Sequence, residues 1–496
     1  MGETGPAFEA STASAGEAAA DVLVLPVYEG PEPGPGMRDA QRALGADLVG
    51  MLKEEGLEGK IGETLTIPTL GRLRAATLVL TGIGPKRDAG PNQVRRAAMR
   101  AARGLGGFRT AASTLAQVGK PLQESARAFA EGFSLGTYSF DQYKSKPDKD
   151  ANKLSSVQAL VSGNRARTGS ALELGRIHSN ASNWVRDMVN TPAADATPAF
   201  LAKQAQGIAR KHGMDSKIWN RAELQAGGFG GIIAVGQGSP NEPRFIELSY
   251  RGAGPPPKPV AITGKGITFD SGGLNIKGAK EMEWMKADMT GAAVTLAVMR
   301  AIAEMGLRIN VIAGIGSAEN MPGGGAIKQG DVIRHRNGKT SEMMHTDAEG
   351  RVLLADALSF LVEKKPRAII DSATLTYTGL GEDIWSIFGT DEDLTDGLLA
   401  AGDEAGEPGW EMPLWEPYKR HTKSDVADIK NSSWDGSDTL AAALFLQEFT
   451  GDIPWAHLDV AYTAYLEHDR DEWPKGPTGC PTRVILRYLE RLAPGR

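Results

Sequence analysis

The sequence predicts an α/β fold of two α/β domains joined by a long helix, the second domain having a mixed central sheet flanked by helices. The chain has 496 residues, enough for about two to four domains. Short apolar runs alternate with segments of helical spacing over the first 190 residues, which is typical of layered α/β proteins. From about residue 195, glycines cluster between short apolar runs, which indicates backbone that approaches another group closely or adopts positive φ.

The first 165 residues predict a tail followed by one domain. Residues 1–20 are rich in Ala, Gly, Ser and Glu, and we expect them to form a mobile tail. The domain over 21–165 begins with an apolar strand. Its expected elements are, in order, a strand over 21–26, a helix over 37–55, a strand over 74–81, helices over 91–106 and 122–138, a polar loop over 144–153 and a strand over 155–162.

A long helical segment over 166–190 predicts the connection to a second domain. It ends at Asn190-Thr191-Pro192, because proline cannot continue a helix. The second domain is then expected over 191–496. The apolar runs that predict strands of its central sheet lie at 259–262, 309–315 and 368–370.

Composition and charge exclude several classes of protein. The net charge of −6 argues against a general binder of nucleic acid or of anionic membranes. The single cysteine, Cys480, excludes an internal disulfide and a cysteine-based zinc cluster. The start of the chain lacks a basic region followed by an apolar core, and no apolar run reaches the ~18 residues that span a bilayer. We therefore expect a cytoplasmic protein.

Two segments place acidic side chains beside basic ones in glycine-rich surroundings. One spans 264–289, and the other is the heptapeptide HTDAEGR at 345–351. In the heptapeptide, Asp347 and Glu349 are two residues apart, so an extended backbone would point both carboxylates to one side. The acids and bases of the two segments are Lys265, Asp270, Lys277, Asp288, Asp347, Glu349 and Arg351.

Such a set of groups suits metal-dependent hydrolysis. Four carboxylates can neutralise two divalent ions, and a metal pair ~3.5–4 Å apart polarises a carbonyl and lowers the pKa of a shared water. From spacing alone, the same residues also fit exposed loop charges in ordinary salt bridges. Other catalytic motifs are missing from the sequence, since it contains neither G-x-S-x-G nor H-E-x-x-H, and Ile333 stands where a phosphate-binding loop ending at 338–340 needs glycine.

Both segments resemble those of the leucyl (cytosolic) aminopeptidases, dinuclear metallopeptidases that remove N-terminal residues from peptides. The family's heptapeptide N-T-D-A-E-G-R is present with His345 in its first place, and its K-G-x-T-F-D-S/T-G-G-…-K pattern matches 265–277. The similarity covers roughly 185–470, whereas the N-terminal part resembles the family only in order and size. Further matching motifs lie at 189–192, 234–239, 320–322, 373–376 and 455–459.

The resemblance implies a metal-binding role for five residues. Asp270 and Glu349 would bridge the two metal ions. Asp347 would complete the looser of the two sites, and Lys265 and Asp288 would complete the tighter one. A lysine ligates only as the neutral amine, and holding it neutral at pH 7 costs ~3.4 pKa units, or ~4.6 kcal/mol, which the metal bond and burial must supply.

The resemblance also implies two catalytic residues and a substrate pocket. Lys277 would stabilise the developing oxyanion, and Arg351 would hold a bicarbonate that relays the proton of a water bridging the metals. Arginine does not deprotonate, so it fits that position only as the holder of an anion. The residues that would bind substrate are Met285, His345, Thr374 and Leu375.

The implied protein is therefore a metal-dependent aminopeptidase with a broad, leucine-like preference. It would hold two divalent ions per subunit, zinc or manganese, with magnesium and cobalt also open because oxygen-rich ligation admits all four. Its partners would be peptide substrates and further copies of itself in a homohexamer, with no membrane and no nucleic acid. A DNA-binding regulatory protein and a catalytically inactive relative are the alternatives.

Three residues depart from the family's pattern near the implied pocket. His345 replaces an asparagine, either as a tolerated polar exchange or as a side chain that narrows or polarises the pocket; a direct metal-ligand role is a third alternative. Trp434 lies in 431–437, where relatives tend to carry paired glycines, and Tyr377 follows the A-T-L-T run. We expect Trp434 and Tyr377 to be packing residues rather than substrate contacts.

Overall fold

The computed structural model describes residues 5–146, 152–255, 257–377, 379–433 and 435–493. The chain divides into two compact units. The first contains residues up to Asn183 together with His468–Lys475, and the second contains Trp184–Glu467 and the residues from Gly476 onwards. Within the described ranges, no helix is both long enough and apolar enough to cross a membrane.

The first unit is built on a mostly parallel sheet in the order β1-β7-β6-β2-β5-β4, with β3 paired to β2. Its strands are β1 (Ala7–Ser11), β2 (Val22–Tyr28), β3 (Glu32–Pro33), β4 (Thr64–Pro68), β5 (Thr77–Gly82), β6 (Thr110–Ser113) and β7 (Ser156–Leu160). Among the described strands of this sheet, the pairs β4–β5 and β2–β3 are antiparallel and the others are parallel. The strands expected over 21–26, 74–81 and 155–162 are confirmed as β2, β5 and β7.

Over the described residues 5–20, the structure corrects the expectation of a mobile tail. Strand β1 pairs in parallel with β7, with Ala7 opposite Ser156. Ala15 and Ala18, which follow the strand, are buried in the core of the first unit. Strand β1 is short and rich in small residues, and its partner β7 lies far along the chain. Its local sequence therefore does not predict a strand, and its composition is typical of a tail.

The α-helices described in this part of the chain are α1 (Met37–Leu44), α2 (Leu48–Glu54), α3 (Pro91–Arg103), α4 (Leu122–Gly136) and α5 (Arg165–Asn190). The single helix expected over 37–55 is wrong, because Gly45 adopts φ 64° and ends α1. Asp47 then caps α2 by accepting a hydrogen bond from the Val49 N–H at 3.2 Å. Of the polar loop expected over 144–153, residues 147–151 lie outside the described residues.

The division between the units falls inside α5, after Asn183, rather than at either predicted end of this helix. The chain also returns to the first unit late, at His468–Lys475. There Arg96 Nε donates to Glu472 Oε1 at 2.9 Å, and Arg103 Nη2 donates to Asp469 Oδ2 at 3.1 Å. The first unit is therefore assembled from two separate stretches of chain.

The second unit is built on a mixed nine-stranded sheet, in the order β17-β16-β19-β15-β10-β12-β9-β8, with β11 paired to β12. The described strands of this unit are β8 (Asp215–Trp219), β9 (Arg244–Arg251), β10 (Val260–Gly264), β11 (Gly266–Asp270), β12 (Asn310–Asn320), β13 (Val332–Arg334), β14 (Thr340–Glu342), β15 (Ala368–Ala373), β16 (Trp385–Gly389), β17 (Gly409–Glu411), β18 (Ile429–Lys430), β19 (Trp455–Asp459), β20 (Tyr465–Leu466) and β21 (Gly476–Pro477). The strands expected at 259–262, 309–315 and 368–370 are confirmed as β10, β12 and β15.

Helices α10 and α11, both almost wholly buried, pack against β10, β12 and β15 of this sheet. The helices of the second unit are α6 (Pro198–His212), α7 (Arg221–Ala226), α8 (Gly230–Gly236), α9 (Ala279–Met282), α10 (Thr290–Glu304), α11 (Glu349–Glu363), α12 (Glu392–Ala405), α13 (Asp438–Gln447) and α14 (Thr482–Leu492). Strands β10, β11, β12, β15 and β19 run parallel, so their carboxyl ends meet at one edge of the sheet. In open α/β sheets this edge is where ligands bind.

Candidate active site

A cavity of about 280 Å³ opens at the carboxyl edge of the second sheet. The sequence-predicted residues on its walls are Lys265, Asp270, Lys277, Met285, Asp288, His345, Asp347, Arg351, Thr374 and Leu375. The remaining predicted residue, Glu349, has a carboxylate oxygen within 4.8 Å of carboxylate oxygens of Asp270 and Asp347. The structure thus brings all eleven predicted residues to one place.

Different elements deliver the acidic and basic side chains to this cavity. Lys265 lies between β10 and β11, and Asp270 ends β11. Asp288 is in the 3-10 turn Met285–Met289 that leads into α10, and Glu349 begins α11. Because these strand ends and helix beginnings share one edge of the sheet, residues more than 80 positions apart in sequence meet.

Two glycines provide space that a side chain would fill. A Cβ atom at Gly350 would lie 2.6 Å from Cε of Lys265, so the lysine passes the start of α11 only because this residue is glycine. Gly272 adopts φ 85°, where L side chains are strained, and a Cβ there would lie 2.2 Å from the Asn275 carbonyl oxygen. This turn carries the chain back to Lys277.

Three carboxylates converge as metal ligands would. Oxygens of Asp270, Asp347 and Glu349 all lie within 4.8 Å of one another. Asp270 Oδ1 is oriented by hydrogen bonds from the Gly272 N–H, at 2.9 Å, and from Asn320 Nδ2, at 2.8 Å. Glu349 is buried, and among the described residues its Oε2 has no hydrogen-bond donor. A buried carboxylate oxygen of this kind is costly unless a cation or a donor meets it.

The two predicted lysines pair with these acids. Lys265 Nζ lies 2.8 Å from both Asp288 Oδ2 and Glu349 Oε1. Lys277 Nζ lies 3.0 Å from Asp270 Oδ2 and 2.5 Å from Asp347 Oδ1. Each lysine therefore touches two candidate metal ligands, and the two groups of contacts do not overlap.

The electrostatics show how crowded the acids are. Burial raises the pKa of Glu349 and of Asp288, and the neighbouring carboxylates raise them further. Burial and the charges of Asp270 and Glu349 raise the pKa of Asp347 to about 7. Burial opposes the charge on Lys265, but the surrounding carboxylates outweigh it and raise its pKa. Four acids thus face two lysines, and the four carboxylates fit two divalent cations. Lys265 would have to lose its proton before it could ligate a metal ion.

Arg351 is buried, and both of its terminal nitrogens have acceptors. Nη1 donates to the Asn431 carbonyl oxygen at 2.7 Å, and Nη2 donates to Asp438 Oδ2 at 2.8 Å. Nε has no hydrogen-bond partner among the described residues. Asp438 also lines the cavity, and the sequence analysis missed it: the divergent segment 431–437 stops one residue before it.

His345 lies on the cavity wall and accepts a hydrogen bond from the Asp347 N–H at its Nδ1, 3.2 Å away. Burial lowers the pKa of His345, which favours the neutral imidazole that this acceptor role requires. Among the described residues, the side chains whose ligand atoms lie close enough to share a metal ion are those of Asp270, Asp347 and Glu349, and His345 is not one of them. Its position fits a residue that shapes the pocket.

Tyr377 is also on the cavity wall, with 57% of its surface exposed, and its ring lies 5.3 Å from that of Tyr462. It thus packs against another ring and faces the cavity at the same time. Trp434, the other predicted packing residue, lies outside the described residues.

A buried carboxylate that the sequence analysis did not single out holds the segment after β15. Asp459 Oδ1 accepts the Leu375 N–H at 3.2 Å, and Oδ2 accepts the Thr376 N–H at 2.9 Å and the Thr376 hydroxyl at 2.6 Å. The preceding residue, Thr374, contacts two candidate ligands: its carbonyl accepts from Lys265 Nζ at 3.2 Å, and its hydroxyl donates to Asp288 Oδ1 at 2.7 Å. Asp459 therefore fixes the backbone of Leu375 and Thr376, which form part of the cavity wall.

Comparison with known proteins matches both parts of the chain. Residues 183–486 match the model of the cytosol aminopeptidase family, catalytic domain, and residues 24–147 match that of the family's N-terminal domain. A probable cytosol aminopeptidase of Geobacter sp. (strain M21) is 39% identical over 482 residues, which cover 96% of this chain and 98% of the relative.

Solved structures agree over nearly the whole length. The bottromycin maturation enzyme BotP in complex with Mn is 36% identical with a TM-score of 0.85, and the match covers 96% of this chain and all of that one. A mutant of tomato leucine aminopeptidase is 28% identical with a TM-score of 0.88, covering 98% of this chain and 97% of that one. The chain therefore belongs to the cytosol aminopeptidase family.

Proposed function

We propose that this metal-dependent aminopeptidase hydrolyses the N-terminal peptide bond of peptides with a broad, leucine-like preference. The observation that carries the proposal is the convergence of Asp270, Asp347 and Glu349 beside two lysines in one cavity. Solvent-exposed loop charges, the alternative that spacing left open, do not fit, because Asp270 and Glu349 are buried.

The metal ligands are proposed from this donor set. When bound, two divalent cations would polarise the scissile carbonyl and make a water acidic. As the family resemblance implies, Asp270 and Glu349 would be shared by both ions, and their carboxylate oxygens lie within 4.8 Å of each other. Lys265 and Asp288 would complete one site, and Asp347 the other. Manganese and zinc are the proposed metals, and BotP, which shares 36% identity, is described with Mn.

The other residues act on the substrate. Lys277 lies 10% exposed at the cavity and would donate to the oxygen of the tetrahedral intermediate, where a fixed cation is worth more than in water. Met285, Thr374, Leu375 and His345 line the same cavity and would bind the N-terminal side chain. Arg351 would fix the anion that takes the proton. The family resemblance implies a bicarbonate in this role, and the chain itself offers the carboxylate of Asp438, to which Arg351 Nη2 donates at 2.8 Å.

We further propose a cytoplasmic homohexamer that acts on peptides and not on nucleic acid. The support is the resemblance to cytosol aminopeptidases and the net charge of −6. Size-exclusion chromatography with light scattering measures the assembly directly, and a mass near six times 52.6 kDa is expected.

The decisive test is metal removal and restoration. The purified protein is stripped with a chelator, single metals are added back, and hydrolysis of Leu-, Met-, Arg- and Cys-Gly-type substrates is compared. We expect activity to disappear on chelation and to return with manganese or zinc, highest on Leu or Met. Activity that is indifferent to the chelator would overturn the proposal.

A further inference from the structure

The guanidinium of Arg351 already holds a carboxylate of the chain itself. A planar guanidinium binds a carbonate-like anion through two neighbouring N–H groups. Here Nη1 donates a hydrogen bond to the Asn431 carbonyl oxygen at 2.7 Å, and Nη2 donates one to Asp438 Oδ2 at 2.8 Å. Asp438 thus occupies on Nη2 the place that one oxygen of a bound bicarbonate would take.

Asp438 is built into a position from which it can exchange a proton. It is the first residue of α13, where Ser437 caps the helix by accepting the Leu440 N–H, and an acid is favourable in a first turn. Its side chain is 52% exposed and lines the same cavity as Lys277 and Asp347. A buried arginine thus fixes one oxygen while the group remains open to the cavity.

Its charge state also suits a proton acceptor. Burial alone would raise the pKa of Asp438, but the guanidinium of Arg351 outweighs it, so the pKa lies below its ordinary value. The group is therefore an anion at neutral pH. A carboxylate and a bicarbonate present the same two-oxygen acceptor to a water, so one can replace the other in a proton relay.

We propose that Asp438 is the proton acceptor of the reaction, in the place of a borrowed bicarbonate at Arg351. This inference rests on the proposed aminopeptidase function. As the oxygen of the attacking water bonds to the scissile carbonyl carbon, its proton moves to a carboxylate oxygen of Asp438. When the C–N bond breaks, that proton passes to the leaving nitrogen, so Asp438 is regenerated as the anion and the net change is addition of one water.

The test uses bicarbonate as a chemical rescue agent. In buffer depleted of carbon dioxide, we expect the metal-loaded wild-type enzyme to keep its kcat. Asp438→Ala should lose about 100-fold in kcat, in the range that general-base removal costs, and should recover at least tenfold when millimolar bicarbonate is added. Asp438→Asn should lose as much without recovery, because its amide still fills the place beside Arg351.

The matched control is Asp435→Ala, which removes an exposed carboxylate three residues earlier that does not line the cavity. Its kcat should stay within twofold of the wild type. A wild-type enzyme that needs bicarbonate, an Asp438→Ala variant that keeps its kcat, or one that bicarbonate does not rescue would each overturn the inference.

Binding is measured separately from activity, so a failure of the proposed function is recognised. In the metal-free protein, bicarbonate should raise the unfolding temperature of Asp438→Ala and leave that of the wild type unchanged. An equal rise in both would overturn the assignment of Asp438. If bicarbonate stabilises Asp438→Ala and not the wild type, but the enzyme has no chelator-sensitive activity, the result would refute the proposed aminopeptidase function alone.

Discussion

Lys277 Nζ lies 3.0 Å from Oδ2 of Asp270, which pairs the proposed oxyanion donor with a proposed bridging ligand. The contact is an ion pair between a side chain that is 10% exposed and one that is 3% exposed. Since the two residues end up with different proposed tasks, their variants should behave differently.

Removal of Lys277 should impair the reaction but not metal binding. Lys277→Ala is expected to keep two metal ions per subunit, measured by elemental analysis, and to lose about 10²–10³-fold in kcat, as the loss of an oxyanion donor does. Asp270→Ala should lose metal itself. Equal metal loss in both variants would contradict the division of roles.

A methyl group at residue 350 should disturb the metal site through Lys265. In Gly350→Ala the new Cβ would lie 2.6 Å from Lys265 Cε and 2.9 Å from Leu375 Cδ1, so the lysine has to move. We expect manganese affinity, measured by titration calorimetry, to fall at least tenfold. Gly207→Ala is the control, since a Cβ there meets nothing within 4 Å, and unchanged affinity in Gly350→Ala would refute the expectation.

Asp459 should act as a positioning residue for the cavity wall. In Asp459→Asn the amide cannot accept all the donors of Leu375 and Thr376, so Thr374 should lose its fixed contact with Asp288. Manganese affinity is expected to drop about 10-fold or more, as it does when support of a ligand is removed. Asp356→Asn provides the comparison, because Asp356 is also buried and accepts the Ile232 and Arg336 N–H groups but does not line the cavity. Equal losses of manganese affinity in the two variants would mean that both act through a general effect on folding, which would contradict a positioning role for Asp459.

His457 should make stability depend on pH. Its Nδ1 lies 2.5 Å from Asp371 Oδ1, and although burial lowers the pKa of His457, the carboxylate of Asp371 outweighs this and raises it. The folded protein therefore holds a proton that the unfolded chain releases near pH ~6.5, and this stabilisation is full below that pH and lost as pH rises through the folded-state pKa. The free energy of unfolding of the wild type, relative to His457→Gln, should fall from pH 6 towards pH 9. A difference that stays constant with pH would contradict it.

The site residues that pattern and resemblance located lie in short continuous motifs of the sequence. Lys265, Asp270, Lys277 and four residues of the 345–351 heptapeptide line the cavity because short strands and tight turns carry them to one edge of the sheet. Strands β2, β5 and β10 were visible because buried parallel strands are continuous apolar runs.

Features that depend on contacts across the chain were not visible. Strand β1 exists only because β7 offers it a parallel partner, and its own sequence has no apolar run. Asp438 resembles any other aspartate until the fold brings it to Arg351. Asp459 ends the matching motif at 455–459, but its contact with the segment after β15 follows only from the fold. The break at Gly45 was missed because helical spacing continues on both sides of it.

The segment His468–Lys475 limits how this molecule can be dissected. It returns to the first unit and brings Glu472 and Asp469 to arginines of α3. A fragment that stops within α5 would leave Arg96 and Arg103 without these partners. A fragment that starts within α5 would contain His468–Lys475 but lack the rest of the first unit, against which this segment packs. Expressing either half from a single cut would therefore yield an incomplete piece, so inactivity of such a fragment reports on the cut and not on where the chemistry resides.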